Sequence, residues 1–170
     1  MRSRRARPAD AAAIHALIAH YAAQGILLPR TEENVREHVS TFLVLEEKSQ
    51  IVGCVSLESY GPDLAEIRSL AVSQEIRGRG LGARLVQFAL LDARRRKIAR
   101  VFAVTHAPAF FEHQGFAASS RRMLSEKIER DCSVCPKARR CRLIAVIASV
   151  LPERAALPIL DNMASPAPVA

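Results

Sequence analysis

The chain of 170 residues carries 49% hydrophobic and 25% charged side chains, enough for one domain with a sizeable core and too few for two, and the balance excludes a disordered polymer. Its longest apolar run, residues 143–151, is far short of the roughly 20 residues of a membrane span, and Arg2, Arg4 and Arg5 lead into nothing resembling a signal peptide, so a cytoplasmic protein with no membrane partner is expected. The net charge of +8 invites a polyanion, yet aromatics at 5% and the lack of Trp argue against a nucleic-acid partner and for a small phosphate-rich ligand.

Residues 4–7 read as a first strand, ended by Pro8. Asp10 is placed to cap a helix whose Ile14, Leu17, Ile18 and Tyr21 share a face, and Gly25 stops that helix. Residues 27–30 form an apolar link, after which Thr31 caps a second helix with Glu32 and Glu33 in its first turn. Residues 41–46 and 51–60 are strand-like; Gly61, Pro62 and Asp63 make a turn, and residues 64–72 return as a third strand of an antiparallel meander. A helix over 80–97 follows, with Leu81, Leu85, Phe88 and Ala89 as its core stripe. Residues 100–105 come after that helix and should lie parallel to 64–72. Pro108 starts a short helix closed by Gly115; 121–142 read as basic and irregular, and 143–150 as a last strand. The expected fold is a mixed, mostly antiparallel α/β sheet with helices on both faces. It occupies residues 1–151, followed by an Ala/Pro-rich tail over 152–170.

The chemistry concentrates around residues 65–83. An apolar strand runs into Arg77-Gly78-Arg79-Gly80-Leu81-Gly82, which opens a helix. Such a turn leaves the first helical amides unpaired, and glycine lets a phosphate approach closely. Between residues 77 and 100 there are eight Lys or Arg against one acid, Asp92. A dinucleotide site would want the glycines after the first strand of a βαβ array and an acid about 20 residues on; here a meander precedes them and the corresponding stretch is basic. Glu66 and Arg68, two apart on a strand, share a face. An amine acceptor arrives as an ammonium and must lose a proton before attack. Glu66 is therefore read as a general base, directly or through water, or else as a structural partner of Arg68, which would lower its pKa. Cys132, Cys135 and Cys141 lack a fourth ligand of the usual kind, so no metal is expected.

A glycine turn of this form after Leu70-Ala71-Val72 resembles the GNAT superfamily of N-acetyltransferases, and the resemblance runs over residues 4–150. It implies two central parallel strands that splay apart to admit a thioester. It implies acetyl-CoA as cosubstrate, with Leu70, Ala71 and Val72 holding the pantetheine by their main chain and Arg77, Gly78, Arg79, Gly80, Leu81 and Gly82 the pyrophosphate. Thr105 and Phe111 belong to the same side. Many relatives carry Tyr where Phe111 stands and use the phenol to protonate the departing thiolate, so here solvent, Thr105 or His106 must serve. Three further stretches, Ile-Leu-Leu-Pro-Arg-Thr-Glu-Glu, the double Phe and Glu-Lys-Ile-Glu-Arg-Asp-Cys-x-x-Cys-Pro-Lys, resemble the short, stand-alone N-acetylglutamate synthases that lack an amino-acid kinase domain. That implies L-glutamate as acceptor and places regulation by arginine in doubt. Two carboxylates want two cations, preferably Arg: Arg30 first, then Arg68, with Lys127, Arg130 and Lys137 from a covering segment. L-Glutamine or a protein N-terminus is the alternative acceptor, and a non-catalytic CoA- or nucleic-acid-binding module the alternative class. A homodimer is compatible with the sequence.

Overall fold

The computed structural model describes residues 1–135 and 141–151. Among these residues seven strands form one sheet in the order β1-β2-β3-β4-β5-β7-β6. They are β1 (Arg2–Arg5), β2 (Phe42–Glu47), β3 (Gln50–Ser59), β4 (Leu64–Val72), β5 (Arg100–Thr105), β6 (Ala117–Ser119) and β7 (Ile144–Ser149). Every neighbouring pair is antiparallel except β4 with β5. Helices α1 (Ala11–Ala23) and α2 (Glu32–Glu37) precede β2, α3 (Leu81–Arg95) joins β4 to β5, and α4 (Pro108–Glu112) follows β5. Among the described residues no helix is long and apolar enough to cross a membrane.

Alternation along β2 explains the layering. Phe42 and Val44 pack with Ile14, Ile18 and Tyr21 of α1, whereas Leu43 and Leu45 pack with Leu85, Val86 and Ala89 of α3. The sheet is thus covered on both faces, as expected. α3 sits close because Gly53 of β3 offers no side chain: a Cβ there would come 3.1 Å from Leu85 Cδ1.

The parallel strands β4 and β5 pair only over Leu64↔Arg100, Ala65↔Val101 and Glu66↔Phe102. Beyond Glu66 they part. In β4, Ser69 and Leu70 stand opposite the single residue Val55 between the pairs Cys54↔Ala71 and Ser56↔Arg68. Ser69 adopts φ 51°, and such a bulge bends its strand.

Several boundaries differ from the sequence reading. The first strand is Arg2–Arg5 rather than 4–7 because its register is set by pairing with β2, from Arg2↔Glu46 to Arg5↔Leu43. Asp10 does not cap α1 through its side chain; its carboxylate accepts from Arg4 at 2.7 and 3.0 Å and from the Arg7 amide at 2.7 Å. Thr31 does cap α2, accepting from the Asn34 amide at 3.1 Å. The region over 121–142 is not irregular throughout. It contains α5 (Ser125–Lys127), which runs into a π-turn over Ile128–Cys132.

Leu85 is fully buried between α3 and the sheet. We expect Leu85→Ala to lower unfolding free energy by about 2–5 kcal/mol, through lost transfer free energy plus a cavity. Urea unfolding checks this, and an unchanged midpoint would mean that Leu85 does not seat the helix.

Candidate active site

The end of β4 and the start of α3 build the first part of the site. Gly78 and Gly80 have φ of 80° and 70°, left-handed values that a side chain would resist. Gly80 is the N-cap residue of α3, and the Arg84 amide is the one that closes on the Gly80 carbonyl, at 3.1 Å. The amides of Leu81, Gly82 and Ala83 therefore have no acceptor within the helix, at its positive end. A cavity of about 230 Å³ lies there, lined by Val72, Arg77, Gly78, Gly80, Leu81 and Gly82 together with Phe110. Such a concavity suits a phosphate. Gly82 packs against Phe110, whose Cζ would be 3.4 Å from an added Cβ, an ordinary contact distance.

Tyr21 of α1 fixes this turn. Its hydroxyl donates to the Val72 carbonyl and accepts from Arg77 Nε at 3.1 Å, while the Arg77 guanidinium lies over its ring. The Tyr21 carbonyl also accepts from the Ile26 amide at 3.0 Å, so one residue of α1 holds both the glycine turn and the loop that leads to Arg30.

The second part is a cavity of about 730 Å³ between that loop, β3, β4 and the π-turn; its charged lining is Arg30, Glu58, Arg68, Arg130 and Asp131. Glu58 and Glu66 stand directly opposite each other on β3 and β4. Like charges in that position repel, and cations from four segments answer them. Arg30 donates to Glu58 Oε1, and Arg68 to Glu58 Oε2 at 3.0 Å. Lys127 donates to Glu66 at 2.8 Å and to Asp131 at 2.6 Å, and Arg130 approaches Glu58 at 3.5 Å. Tyr60 donates to Glu66 at 2.7 Å and also contacts Asp131; the Arg130 guanidinium stacks on its ring at 3.5 Å.

These contacts set the ionisations. Burial would raise the Glu58 carboxyl, but Arg68 and Arg30 bring it below its usual value. Asp131 is likewise held far below the carboxylate range, burial being outweighed by the bonds from Lys127 and Tyr60. Burial, with Glu66 beside it, pushes the Tyr60 phenol up. Burial also pushes the Cys54 thiol up to about 12. Among the described residues no group of three or more His, Cys, Asp or Glu is placed to hold a metal.

The sequence-named residues divide clearly. Val72, Arg77, Gly78, Gly80, Leu81 and Gly82 meet at the smaller cavity, and Arg30, Arg68 and Arg130 at the larger. Leu70 and Ala71 pack on opposite faces of the sheet. Arg79 is exposed beside Glu47 at 3.4 Å. Thr105 Oγ1 accepts from the Ala107 amide at 3.0 Å. Phe111 is buried against Phe110 and Phe116, and Phe110 lines the cavity in its place. Glu66 is 1% exposed, and neither it nor Lys127 is part of the larger cavity's lining. Lys137 lies outside the described residues. Sequence reasoning missed Tyr60, Asp131 and Glu58. The last was readable, because a turn centred on Pro62 places residue 58 opposite residue 66.

Residues 11–116 match the acetyltransferase (GNAT) family, and the chain belongs to it. It is 40% identical over 147 residues to an uncharacterized N-acetyltransferase of Chlorobaculum tepidum, across 86% of this chain and 95% of that one. It is 36% identical over 130 residues to the amino-acid acetyltransferase of Neisseria meningitidis, across 75% of this chain and 30% of that one. Among solved structures, it superimposes with a TM-score of 0.78 and 29% identity on the N-acetylglutamate synthase of Neisseria gonorrhoeae complexed with coenzyme A and N-acetyl-glutamate, covering 89% of this chain and 35% of that one. The chain thus spans about a third of the two Neisseria proteins' length.

Asp131 makes the electrostatic lock testable. A depressed carboxyl contributes stability that is fully present above its unfolded value, near 3.8, and is lost as the pH falls toward the folded value. We expect Asp131→Asn to be less stable than the parent at pH 6 and to show a shallower loss between pH 4 and 2.5. Denaturant unfolding at several pH values checks this; parallel curves would mean that Asp131 is not paired.

Proposed function

We propose that the chain transfers acetyl from acetyl-CoA to the α-amino group of L-glutamate, within a catalytic unit of residues 1–151. The observation that carries this reading is the charge of the larger cavity. Arg30, Arg68 and Arg130 face Glu58 and Asp131, so three guanidiniums against two carboxylates leave one positive charge. L-Glutamate, with two carboxylates and one ammonium, is its complement; L-glutamine, which is neutral, is not. Guanidinium forks suit carboxylates, and a carboxylate in the same cavity suits the ammonium. The resemblance to amino-acid acetyltransferases supports the same substrate class.

In this reading the amides of Leu81 to Ala83, with Arg77 anchored on Tyr21, hold the CoA pyrophosphate. The Val72 amide serves the pantetheine. Because the next amide, Ser73, bonds to the Val52 carbonyl, antiparallel alternation turns that of Val72 away from β3 toward the gap. The cosubstrate supplies an activated thioester. Arg30 and Arg68 orient the acceptor so that its nitrogen meets the thioester carbonyl in the gap between β4 and β5; the N–C bond forms and the C–S bond breaks without a covalent enzyme intermediate. Phe111 offers no proton to the thiolate, a tolerable leaving group, so solvent supplies it. Glu66 acts as a structural partner, the second of its two sequence readings: Arg68 Nε approaches it at 3.6 Å, and Lys127 and Tyr60, which the sequence reading did not name for it, bond to it as well.

Arg30→Ala is expected to raise KM for L-glutamate about 10- to 100-fold, the worth of a charged hydrogen bond, with KM for acetyl-CoA unchanged. Initial-rate kinetics with an amino-acid panel and thiol release as readout checks both the residue and the acceptor. Equal effects on the two KM values would remove Arg30 from the acceptor site, and a preference for L-glutamine would replace L-glutamate.

A further inference from the structure

One carboxylate in the larger cavity is held by the groups that the acceptor needs. Glu58 Oε1 takes Arg30, and Oε2 takes Arg68 at 3.0 Å with Arg130 at 3.5 Å. Ser56 Oγ on its own strand reaches Oε1 at 3.3 Å. The other charged neighbours are Glu66 directly across on β4 and Asp131 on the π-turn, and His38 at the end of α2 lines the same cavity. A dicarboxylic amino acid that binds Arg30 and Arg68 must compete with Glu58 for both. Once they turn to the ligand, Glu58 is left partly buried beside the negative charge of Glu66. Both conditions favour its uptake of a proton. The acceptor ammonium enters that same space. Glu66 is placed differently: its Oε2 has Arg68 Nε at 3.6 Å but is also taken by Tyr60 at 2.7 Å and Lys127 at 2.8 Å, which stay when Arg68 turns away, and it does not line the cavity.

We propose that Glu58 is the general base, and that the acceptor's own carboxylates activate it by drawing Arg30 and Arg68 away. This rests on the acyl-transfer reading given above. The step balances. An N–H bond of the ammonium breaks and an O–H bond forms on Glu58, leaving a neutral amine. Its lone pair forms the N–C bond to the thioester carbonyl as the C–S bond breaks and the thiolate leaves. Glu58 then gives its proton to solvent, from which the thiolate takes its own.

Two measurements test the proposal. With L-glutamate, Glu58→Gln should lower kcat by at least about 100-fold, the lower end of what proton transfer by a positioned group contributes, and should remove the rise of kcat with pH. Glu58→Asp should restore part of both. A Glu58→Gln kcat within about threefold of the parent, with the same pH profile, would overturn the proposal. The second measurement uses the parent enzyme and does not depend on the variant folding. Because L-glutamine lacks the second carboxylate, Glu58 keeps one arginine in that complex. The acid limb of kcat should therefore lie at lower pH with L-glutamine than with L-glutamate, and coincident limbs would overturn activation by the acceptor. If the enzyme acetylates neither amino acid but another amine, the acceptor reading fails by itself. Glu58→Gln is then assayed with that amine, where loss of kcat supports Glu58 as base and its retention overturns it.

Discussion

Two glutamates face each other across the β3–β4 hairpin, and the acceptor half of the molecule is arranged around their repulsion. Glu58 and Glu66 are opposite residues of neighbouring strands on one face of the sheet. Two like charges directly opposite each other on neighbouring strands destabilise the pairing unless cations lie close by. The chain meets the requirement from segments far apart in sequence. Arg30 arrives from the loop before α2, Arg68 from β4 itself, and Lys127 and Arg130 from the segment of α5 and the π-turn. Meeting it closes the wall of the cavity, because the same bonds dock the loop and the π-turn over the sheet.

The bulge at Ser69 links that face to the cofactor half. Two β4 residues, Ser69 and Leu70, stand opposite Val55, a bulge that bends the strand, and the pairing of β4 with β5 does not extend past Glu66. The same bend carries Val72 toward Tyr21 and Arg77, where the glycine turn begins. Tyr21 then relates the two cavities geometrically, since its hydroxyl holds the turn and its carbonyl holds the loop of Arg30.

What could be read in advance follows the range of the interactions. β4, β5 and the glycine turn were legible residue by residue because their signals are local: β-branched runs, turn glycines, a helix that must start after Gly80. The cap on α2 was local too, Thr31 to Asn34. Asp10 was misread as a cap because Arg4 and the Arg7 amide compete for it, and only the fold of β1 brings Arg4 near. The larger cavity was legible in part. Arg30 and Arg68 were named from charge logic, but their pairing with Glu58 spans 28 and 10 residues, and that of Lys127 with Glu66 spans 61. Sequence could place the charges and not their partners. Phe111 and Phe110 show the smallest version of the problem, since adjacent residues of a short helix point to different sides and only packing against Phe116 decides which one faces the cavity.

The two halves of the site therefore differ in physical kind. The cofactor half is main chain: amides at a helix start and a bent strand, whose geometry depends on φ values of glycine and not on which side chains surround them. Any chain that folds this way offers it. The acceptor half is side chain, and its charges are nearly balanced before a ligand enters, with each guanidinium already committed to a carboxylate. Such a cavity gains little from an acceptor that merely adds a charge, because each new bond displaces an old one. On the proposed reading it gains from an acceptor that replaces the whole set at once, two carboxylates for the arginines and an ammonium for Glu58. Discrimination would then come from the intramolecular bonds that a wrong acceptor breaks without replacing, and the dense ion pairing of this face would be the means of choosing a substrate.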